Sequence, residues 1–264
     1  MDLGLQGKQA LITGSTGGIG YAIAEGLARE GAAVWLTGRT QESVDAALAR
    51  LRQAVPGGSA GGTAADCATA DGAAKVFAAL PAVDILVNNL GIYARCAAFD
   101  IGDAQWAAMF DTNVMSGVRF TRQYAPAMAQ RGWGRVVFVS SESALNIPRE
   151  MIHYGMSKTA QLAISRGFAM ELAGTGVTVN ALLPGPTRTE NTERLRAERA
   201  AAAGIPVAEL EQAFFRQFRP TSLLARFTSA QEVADAAVYL CSERASATTG
   251  AAMRVDGGTV NQIM

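Results

Sequence analysis

The fold is decided by residues 9–30, which read QALITGSTGGIGYAIAEGLARE. The run Gln9–Thr13 is short and apolar, as in a strand that is covered on both faces of its sheet. Within the stretch Ile19–Glu30, apolar side chains recur with helical spacing at Ile19, Ala22, Ile23 and Leu27. The glycine-rich residues 13–20 lie between them. We therefore predict a strand, a glycine-rich loop and a helix in succession.

The loop between this strand and this helix carries glycines at positions 14, 18 and 20. Glycine allows the backbone to turn tightly and to approach a ligand closely. The first turn of the helix then presents free N–H groups and the positive end of its dipole to an anion. An ordinary glycine-rich turn is the alternative, but the flanking strand and helix are the context that a phosphate-binding loop requires. The loop therefore predicts a site for a pyrophosphate group.

The rest of the chain repeats the alternation of an apolar run and a helical stretch. Further runs rich in Val, Ile and Leu lie at Ala33–Thr37, Val83–Asn88, Arg135–Ser140, Val177–Leu183 and Ala252–Val255. Stretches with helical character lie at Gln41–Ala54, Thr69–Leu80, Ala104–Arg131 and Met151–Leu172. This alternation predicts an α/β fold, a doubly wound parallel sheet of Rossmann type with helices on both faces. Because a single α/β domain can reach this length, we expect one domain over residues 1–264.

Two segments depart from this alternation. Residues Pro56–Gly62 read PGGSAGG, and we expect a mobile surface loop there. The second segment, Pro184–Phe227, is longer than most loops in compact domains, and such insertions are usually lids or binding loops. It has helical character at Glu193–Ala203 and Pro206–Phe218. The apolar side chains of the second helix lie nearly on one face, at Leu210, Phe214, Phe215 and Phe218. We predict a lid-like insertion over the substrate, with an oligomer arm as the alternative.

Composition narrows the function classes. Of the 264 residues, 49% are hydrophobic and 17% are charged, which excludes a disordered chain. The net charge is zero, which argues against a nucleic-acid partner, because nucleic-acid-binding proteins usually carry a basic excess. No apolar run approaches the ~20 residues of a membrane span, and the N-terminus lacks a signal-peptide layout. The three cysteines have no metal-ligand spacing, as expected for free thiols in a reducing compartment. We expect a cytoplasmic protein with no metal site and no membrane partner.

The stretch Thr13–Gly20, TGSTGGIG, resembles the TGxxxGxG cofactor motif of the short-chain dehydrogenase/reductase family. With the matches described below, the resemblance covers nearly the whole chain. It implies a nicotinamide dinucleotide cofactor and hydride transfer between that cofactor and a small carbonyl or alcohol substrate. The cofactor-binding residues that it implies in this loop are Gly14, Ser15, Thr16, Gly18, Ile19 and Gly20.

The end of the second predicted strand bears on the choice between NAD and NADP. An NAD site normally has a carboxylate there for the ribose 2′-hydroxyl, but Trp35–Thr40 contains no Asp or Glu. Arg39 stands there instead, and a guanidinium suits a 2′-phosphate through charge-assisted hydrogen bonds. A solvated surface arginine is the alternative. We predict that NADP(H) is favoured over NAD(H). By the resemblance, Asp66 at the end of the third strand, with Cys67 beside it, holds the adenine.

Tyr154 and Lys158 form a Y-x-x-x-K pair within a predicted helix. Residues four apart lie on the same helix face, and an ammonium near a phenol lowers the pKa of that phenol towards the range of a useful acid or base. Taken alone, such a pair is usually a half-buried Tyr beside a solvated Lys. Ser141 strengthens the catalytic interpretation, because it lies at the carboxyl end of a predicted strand, where ligands of open α/β sheets bind.

The spacing from Ser141 to Tyr154 and Lys158 resembles the Ser…Tyr-x-x-x-Lys triad of the same family. The resemblance identifies Ser141 as the catalytic serine, with Ser140 and Ser143 as its nearest competitors in the sequence. It also implies that Asn113 is a fourth catalytic residue, which holds a water that passes protons to Lys158. A helix-interior Asn bonded to the backbone is the alternative for Asn113.

Two further elements match the family. Residues 88–91, Asn-Asn-Leu-Gly, resemble its NNAG element, which implies that Asn89 and Gly91 line the adenosine side. Leu90 replaces the usual Ala, and we expect it to crowd the local backbone. Residues 184–187, Pro-Gly-Pro-Thr, resemble the PG element after the sixth strand. The residues that it implies at the nicotinamide carboxamide are Pro184, Gly185 and Thr187, the last in preference to Thr189.

The resemblance favours an NADP-dependent oxidoreductase similar to the 3-oxoacyl-carrier-protein reductases. An NAD-linked alcohol dehydrogenase of the same family, a dinucleotide-binding sensor without turnover, and a sugar-nucleotide epimerase or dehydratase are the alternatives. A serine hydrolase is excluded, since no G-x-S-x-G elbow surrounds Ser141 and the one histidine, His153, diverges from Tyr154 on the helix. Family members are commonly homotetramers or homodimers, and the resemblance implies pairing through Ala104–Arg131 and Met151–Leu172.

Overall fold

The computed structural model describes residues 1–263. The strands, in chain order, are β1 Gln9–Ile12, β2 Ala33–Gly38, β3 Ala60–Ala64, β4 Ile85–Asn88, β5 Gly134–Val139, β6 Val177–Pro184, β7 Thr187–Arg188, β8 Thr228–Ser229 and β9 Ala252–Val255. Seven of them form one parallel sheet in the order β3-β2-β1-β4-β5-β6-β9, and β7 pairs with β8 in a separate small sheet.

Helices cover the sheet. They are α1 Gly18–Arg29, α2 Gln41–Ala54, α3 Ala70–Ala79, α4 Asp103–Phe110, α5 Ser116–Gln130, α6 Ile152–Glu171, α7 Glu190–Ala203, α8 Val207–Phe218 and α9 Ala230–Cys241. Two hydrophobic clusters fill the space between helices and sheet, one of them including α1, α2 and α9 and the other including α3 and α5. The predicted doubly wound parallel sheet of a single Rossmann-type domain is confirmed.

The strand order places the ligand site. The chain moves outward from β1 through β2 to β3 and then returns to β4 on the other side of β1. Ligands of open α/β sheets bind beyond the carboxyl ends of the strands at such a reversal. β1 leads there into the glycine loop, β4 into residues 89–91 and β5 into Ser141. Every residue of β4, β5 and β6 is buried, which is why these strands appear as continuous apolar runs in the sequence.

The prediction of a loop at Pro56–Gly62 is wrong in part, because Ala60–Ala64 forms the edge strand β3 beside β2. Its glycines permit close packing. A Cβ at Gly61 would collide with the Trp35 ring, and one at Gly62 would lie 2.6 Å from a methyl carbon of Val44. Glycine has a low strand propensity, so this strand depends on its tertiary contacts and is hidden in the composition.

The predicted helix over Ala104–Arg131 contains an irregularity that periodicity does not show. A π-helical turn, Asp111–Met115, joins α4 to α5. Turns of this kind occur frequently at functional sites. Asn113 lies on this turn and is fully buried.

The insertion from Pro184 to Phe227 contains β7, α7 and α8, and it ends directly before β8. Its phenylalanines pack on one another, because the ring centroid of Phe214 lies 5.1–5.7 Å from those of Phe215, Phe218 and Phe227. The Arg196 guanidinium lies 4.5 Å from the Phe227 ring centroid. The apolar face that the sequence indicates is therefore a small core within the insertion itself.

Helix α9 is an element that the sequence reasoning missed. Ser229 and Glu232 form a reciprocal capping box at its N-terminus. Its buried side chains pack against α1 on the same face of the sheet, and they include Val233, Ala237, Val238 and Cys241. The cap and the spacing of these side chains are a readable helix signal.

Candidate active site

The glycine loop between β1 and α1 has a backbone that glycine adopts with little strain. Gly14 and Gly18 have φ angles of +63° and +57°. A Cβ at Gly20 would lie 2.7 Å from the Gly14 carbonyl oxygen and would collide with Asn89. Glycine is thus required by a positive φ at two positions and by a close approach at the third.

Side chains next to the loop hold its shape. Ser15 is completely buried, and its Oγ accepts a hydrogen bond of 3.0 Å from the Thr37 N–H. Asn89 Nδ2 donates to the carbonyls of Thr13 and Gly14 at 2.9 and 3.0 Å. The side chains of Ser15 and Asn89, both predicted to bind cofactor, therefore shape the loop from within.

The mouth of the loop binds an anionic group of the chain itself. Glu190 Oε2, at the start of α7, accepts a hydrogen bond of 2.9 Å from the Gly18 N–H, and Glu190 Oε1 lies 3.3 Å from Arg50 Nη2. Burial acts to raise the pKa of Glu190, but hydrogen bonds from its own N–H and from Gly18, together with Arg50, outweigh it and lower that pKa. This carboxylate shows that the N-terminus of α1 accepts an anion, which is what a pyrophosphate requires. Glu190 and Gly18 are 172 residues apart, so no local pattern indicates the contact.

A cavity of about 390 Å³ adjoins the loop and is lined in part by Thr16, Gly18 and Thr189. Ile19, at the second position of α1, is half-buried. The Thr189 methyl carbon would lie 3.2 Å from a Cβ at Gly18. Thr189, which the sequence reasoning ranked below Thr187, therefore lies directly against the glycine loop.

The PG element follows β6 and is packed against the residues after β9. The Gly185 N–H donates to the Val255 carbonyl at 3.0 Å, and a Cβ at Gly185 would lie 2.7 Å from the Asp256 backbone. Pro184 is buried. Thr187 Oγ1 donates to the Gly185 carbonyl at 2.9 Å and lies 3.0 Å from Thr228 Oγ1. The Thr187 hydroxyl is thus engaged within the protein.

The predicted adenosine-side residues differ in accessibility. Arg39 follows β2 and is exposed, and within residues 1–263 its guanidinium has no ion-pair partner. Asp66 is exposed, and its Oδ1 accepts a hydrogen bond of 3.1 Å from the Ala68 N–H. Cys67 is buried, and burial raises the pKa of its thiol against a hydrogen bond with Thr37. Arg39 and Asp66 can face a ligand, whereas the Cys67 thiol packs inside.

Leu90 fits beside the glycine loop. Its N–H donates to Thr13 Oγ1 at 3.0 Å, and its Cδ1 occupies the space next to Gly14, 3.3 Å from where a Cβ of that glycine would lie. At the next residue, a Cβ on Gly91 would lie 3.4 Å from Lys158 Nζ. A side chain at Gly91 would therefore pack directly against that ammonium and against Asn113 Oδ1.

The serines after β5 have different partners. Ser140 Oγ donates to the Lys158 carbonyl at 2.9 Å, and Ser143 Oγ donates to a carboxylate oxygen of Glu142 at 3.2 Å. Ser141 Oγ accepts a hydrogen bond of 3.1 Å from the Ser143 N–H, and Ser141 is the serine of the three that acts on Tyr154, where it lowers the pKa of the phenol. The geometry therefore supports Ser141 and leaves its two competitors in internal roles.

Tyr154 and Lys158 lie on one face of α6, with Lys158 Nζ 5.7 Å from the Tyr154 ring centroid. Lys158 Nζ donates to the Val139 carbonyl at 2.9 Å and to Gln161 Oε1 at 3.2 Å. Burial lowers the pKa of Lys158 to about 7. Burial also raises the pKa of Tyr154 to about 12, against the Ser141 hydrogen bond that lowers it. The pKa of Tyr154 therefore lies above its usual value, contrary to the expectation, because burial outweighs Ser141 and Arg219, which lower this pKa.

Asn113 clamps the chain that follows β4. Its Oδ1 accepts from the Ile92 N–H at 2.7 Å, and its Nδ2 donates to the Ile92 carbonyl at 2.9 Å and to Ser157 Oγ at 2.9 Å. Its backbone carbonyl accepts a hydrogen bond of 2.6 Å from Gln161 Nε2. The sequence reasoning missed Gln161, although it lies one turn after Lys158 on the same helix.

A buried ion pair lies directly behind Ser141. Arg219 Nε and Nη2 both donate to Glu142 Oε1, at 2.9 and 2.8 Å. Burial raises the pKa of Glu142, and Arg219 opposes this shift. Glu142 follows β5 and Arg219 follows α8, so the pair joins the insertion to the catalytic loop. This pair was also missed, because charged residues far apart in sequence give no sign that they meet.

His153 is fully buried, and its ring lies edge-on to Trp106 at a centroid distance of 5.8 Å. Burial lowers the pKa of its imidazole. Its contacts are those of a packing residue. Over residues 1–263 no three His, Cys, Asp or Glu side chains are grouped so that they could hold a metal ion. Within the same part of the chain, none of the helices is long and apolar enough to span a membrane.

The arrangement supports acid–base chemistry at the carboxyl ends of β4 and β5. A phenol, a serine hydroxyl and an ammonium converge there, and the glycine loop with its anion-accepting helix N-terminus lies at the end of β1. Comparison with known proteins is consistent with this geometry. The profile of the short chain dehydrogenases matches residues 8–200.

Three proteins similar to this chain show what the match covers. An uncharacterized oxidoreductase of Bacillus subtilis (strain 168), YvaG, is 44% identical over 263 residues, which is 100% of both chains. The crystal structure of L-sorbose reductase from Gluconobacter frateurii, complexed with NADPH and L-sorbose, is 32% identical with a TM-score of 0.93 over 100% of both chains. The 3-oxoacyl (acyl-carrier-protein) reductase from Agrobacterium tumefaciens C58, with NADP bound, is 32% identical with a TM-score of 0.86, covering 97% of this chain and 96% of that one.

The family match spans most of the chain, and the full-length relatives exceed 30% identity. The donor set at the glycine loop fits a nicotinamide dinucleotide, NAD(P), since it accepts an anion at the N-terminus of α1. The chain therefore belongs to the short-chain dehydrogenase/reductase family and is an oxidoreductase that acts on a CH–OH or C=O group.

Proposed function

We propose that this oxidoreductase works chiefly as an NADPH-dependent carbonyl reductase, with Ser141, Tyr154 and Lys158 as its catalytic residues. The observation that carries the proposal is the convergence of these side chains at the end of β5, where Lys158 Nζ lies 5.7 Å from the Tyr154 ring centroid and Ser141 acts to lower the pKa of the Tyr154 phenol. When bound, the nicotinamide supplies or accepts the hydride.

The protonation states favour reduction. Because the pKa of Tyr154 is raised to about 12, its phenol carries a proton at neutral pH and can donate it to a carbonyl oxygen that gains negative charge. Ser141 lies beside the phenol and polarises the same oxygen. Lys158 has a pKa of about 7 and is able to return a proton to the phenol. Asn113 fixes the loop at Ile92 that borders this cluster.

We propose that NADP(H) is preferred over NAD(H). Arg39 stands exposed at the end of β2 with no ion-pair partner within residues 1–263, and no carboxylate lies at Trp35–Thr40 to bind a free 2′-hydroxyl. The L-sorbose reductase and the acyl-carrier-protein reductase described above were crystallised with NADPH or NADP, which supports the same choice. We propose that Asp66, which is exposed after β3, binds the adenine.

The substrate side of the site is apolar, which supports a ketone or secondary alcohol with an apolar body. Large apolar side chains near Tyr154 are exposed, namely Ile92, Tyr93, Leu145 and Ile147. The Tyr93 ring lies 6.3 Å from the Tyr154 ring. Clusters of exposed apolar side chains mark binding surfaces.

A panel of carbonyl compounds tests both the activity and the substrate class. Wild-type protein is mixed with NADPH and an aromatic ketone, an acetoacetyl thioester or L-sorbose, and the loss of NADPH absorbance is followed. The proposal expects turnover with the aromatic ketone or the thioester at a higher kcat/KM than with L-sorbose. Preference for L-sorbose overturns the substrate class, and absence of turnover with any carbonyl or alcohol overturns the reductase assignment.

We also propose that the insertion 184–227 is a lid over the substrate. Its position supports this, since Glu190 contacts the glycine loop and Arg219 contacts Glu142 beside Ser141. Hydrogen exchange separates a lid from an oligomer arm. A lid exchanges faster than α6 and gains protection with NADPH and a substrate, whereas an arm is protected from the start.

The remaining assignments concern assembly and location. We propose a homodimer or homotetramer that pairs through α4, α5 and α6, whose exposed apolar side chains include Phe110 and Met170. We place the protein in the cytoplasm, which the free thiols of Cys67, Cys96 and Cys241 support. Analytical ultracentrifugation tests the assembly. If the protein sediments as a monomer at micromolar concentration, the proposed homodimer or homotetramer is contradicted.

A further inference from the structure

Gln161 connects two parts of the active site that the sequence resemblance links through water. It lies one turn after Lys158 on α6 and is only 1% exposed. Its Oε1 accepts a hydrogen bond of 3.2 Å from Lys158 Nζ, and its Nε2 donates to the Asn113 carbonyl at 2.6 Å. One amide group therefore spans the path from the ammonium to the π-helical turn.

The bridge matters because Lys158 has few partners. Its other hydrogen bond is to the Val139 carbonyl at 2.9 Å, and both acceptors are neutral. A buried ammonium that loses a fixed acceptor is destabilised relative to its neutral form. The amide of Gln161 also orients the ammonium, since its nitrogen is held by Asn113 and its oxygen is left facing Lys158.

The ionisable groups of this region act on Tyr154 rather than on Lys158. Glu142 after β5, Tyr93 after β4 and Arg219 after α8 shift the pKa of Tyr154, whereas the cause of the shift at Lys158 is burial. Glu142 is bound to Arg219, and the Tyr154 phenol is neutral at physiological pH because its pKa is raised to about 12. Gln161 is therefore the side chain whose polar contact acts on the Lys158 ammonium directly.

We propose that Gln161 is a positioning residue, which holds the Lys158 ammonium in its charged, oriented form and occupies the place where the family resemblance implies a bridging water. The inference rests on the proposed catalytic role of Lys158. Its physical claim, that the amide supports the charge on Lys158, can be measured without turnover.

Two substitutions separate a polar role from a packing role. Gln161→Met keeps most of the side-chain volume and removes both hydrogen bonds. Gln161→Ala removes the volume and leaves a polar space that water can enter, between Lys158 Nζ and the Asn113 carbonyl. A packing role predicts that Met is tolerated and Ala is harmful. The bridging role predicts the reverse order.

The measurement is the titration of Lys158 by NMR in protein labelled with ¹³C-lysine. The lysines of the chain are Lys8, Lys75 and Lys158, and Lys158→Met assigns the signal of interest. Lys8 Nζ lies 3.9 Å from the Trp133 ring centroid, so its signal reports whether a variant is folded. Ser165→Ala is the matched control, because Ser165 is buried one turn further along α6 and its Oγ has no hydrogen-bond partner within residues 1–263.

In Gln161→Met we expect the Lys158 midpoint to fall by about one pH unit, as for loss of a hydrogen bond to a charged group. In Gln161→Ala and Ser165→Ala the midpoint should stay closer to wild type. The pH profile of kcat for a ketone that the wild type reduces should move in the same direction. An unchanged midpoint in folded Gln161→Met, or a larger shift in Ala than in Met, overturns the inference. Retained turnover in Tyr154→Phe instead overturns the proposed function and leaves the NMR result standing.

Discussion

Replacing Arg219 with Met removes one partner of the buried pair behind the catalytic serine. Arg219 and Glu142 have side chains that are 10% and 3% exposed, and two guanidinium nitrogens donate to the same carboxylate oxygen. The variant leaves a buried carboxylate whose remaining donor is the Ser143 hydroxyl. Loss of one partner from such a pair costs about 3–5 kcal/mol. For a chain of this size that corresponds to a fall in Tm of roughly 10 °C.

The loss should depend on pH in a defined direction. Burial raises the pKa of Glu142 above its usual value, and Arg219 limits that rise. Without Arg219 the folded-state pKa rises further above the unfolded value. The native state then loses stability as pH increases from the unfolded pKa through the folded one, because ionising the buried carboxyl becomes unfavourable. The difference from wild type should be largest at pH 8 and should shrink towards pH 5.

Urea unfolding of the NADPH-free protein at pH 5 and pH 8 measures this effect. Arg216→Met is the matched control, since Arg216 is exposed on α8, the helix that directly precedes Arg219. The double variant Glu142→Gln/Arg219→Met should recover much of the stability at pH 8, because it removes the orphaned charge. An equal loss at both pH values, or a double variant as unstable as the single one, would refute the reasoning.

Three further changes test other contacts. Glu190→Gln should tighten NADPH binding by roughly threefold to tenfold, because it removes a carboxylate that competes for the Gly18 N–H. Fluorescence titration with NADPH tests this, with Glu193→Gln as the control variant. An unchanged or weaker affinity of Glu190→Gln contradicts the prediction. Arg39→Ala should reduce the ratio of the NADH to the NADPH dissociation constant by about tenfold, and equal dissociation constants in the wild type would remove the basis for the assignment. Lys158→Met should raise the free energy of unfolding at pH 7 by on the order of 4 kcal/mol, because a folded pKa of about 7 below the ordinary 10.5 makes the native state less stable as pH falls through that window. The gain should vanish near pH 10.5, and a loss of stability at pH 7 contradicts it.

The sequence predicts those parts of the molecule that are fixed by local patterns. The glycine loop, the buried central strands and the spacing of Tyr154 and Lys158 are all periodic or contiguous features. In the structure, the glycine loop, Tyr154 and Lys158 all lie beyond the carboxyl ends of these central strands. The family resemblance implied a third strand before Asp66, but the local pattern did not show the residues of β3, because its glycines are accommodated by Trp35 and α2 and have low strand propensity of their own.

Contacts between distant residues account for what the sequence does not show. The insertion is joined to the Rossmann core by two contacts, one between Glu190 and the Gly18 N–H and one between Arg219 and Glu142. Neither contact leaves a periodic signal in the sequence. The direction of the Tyr154 pKa shift was also out of reach, since it depends on how deeply the phenol is desolvated. Gln161 is the exception, because its i, i+3 spacing from Lys158 was readable.

The most direct test of the account is the turnover of Tyr154→Phe. This change removes the phenol hydroxyl, whose pKa Ser141 acts to lower, and leaves the ring in place. With the best ketone of the panel and saturating NADPH, the account predicts a loss in kcat of at least about 100-fold, with an NADPH dissociation constant close to that of wild type. Tyr239→Phe, on α9, controls for loss of a phenol elsewhere and should leave kcat unchanged. If Tyr154→Phe keeps more than about a tenth of the wild-type kcat, a barrier change below ~1.4 kcal/mol, Tyr154 is not the proton donor and the central claim fails.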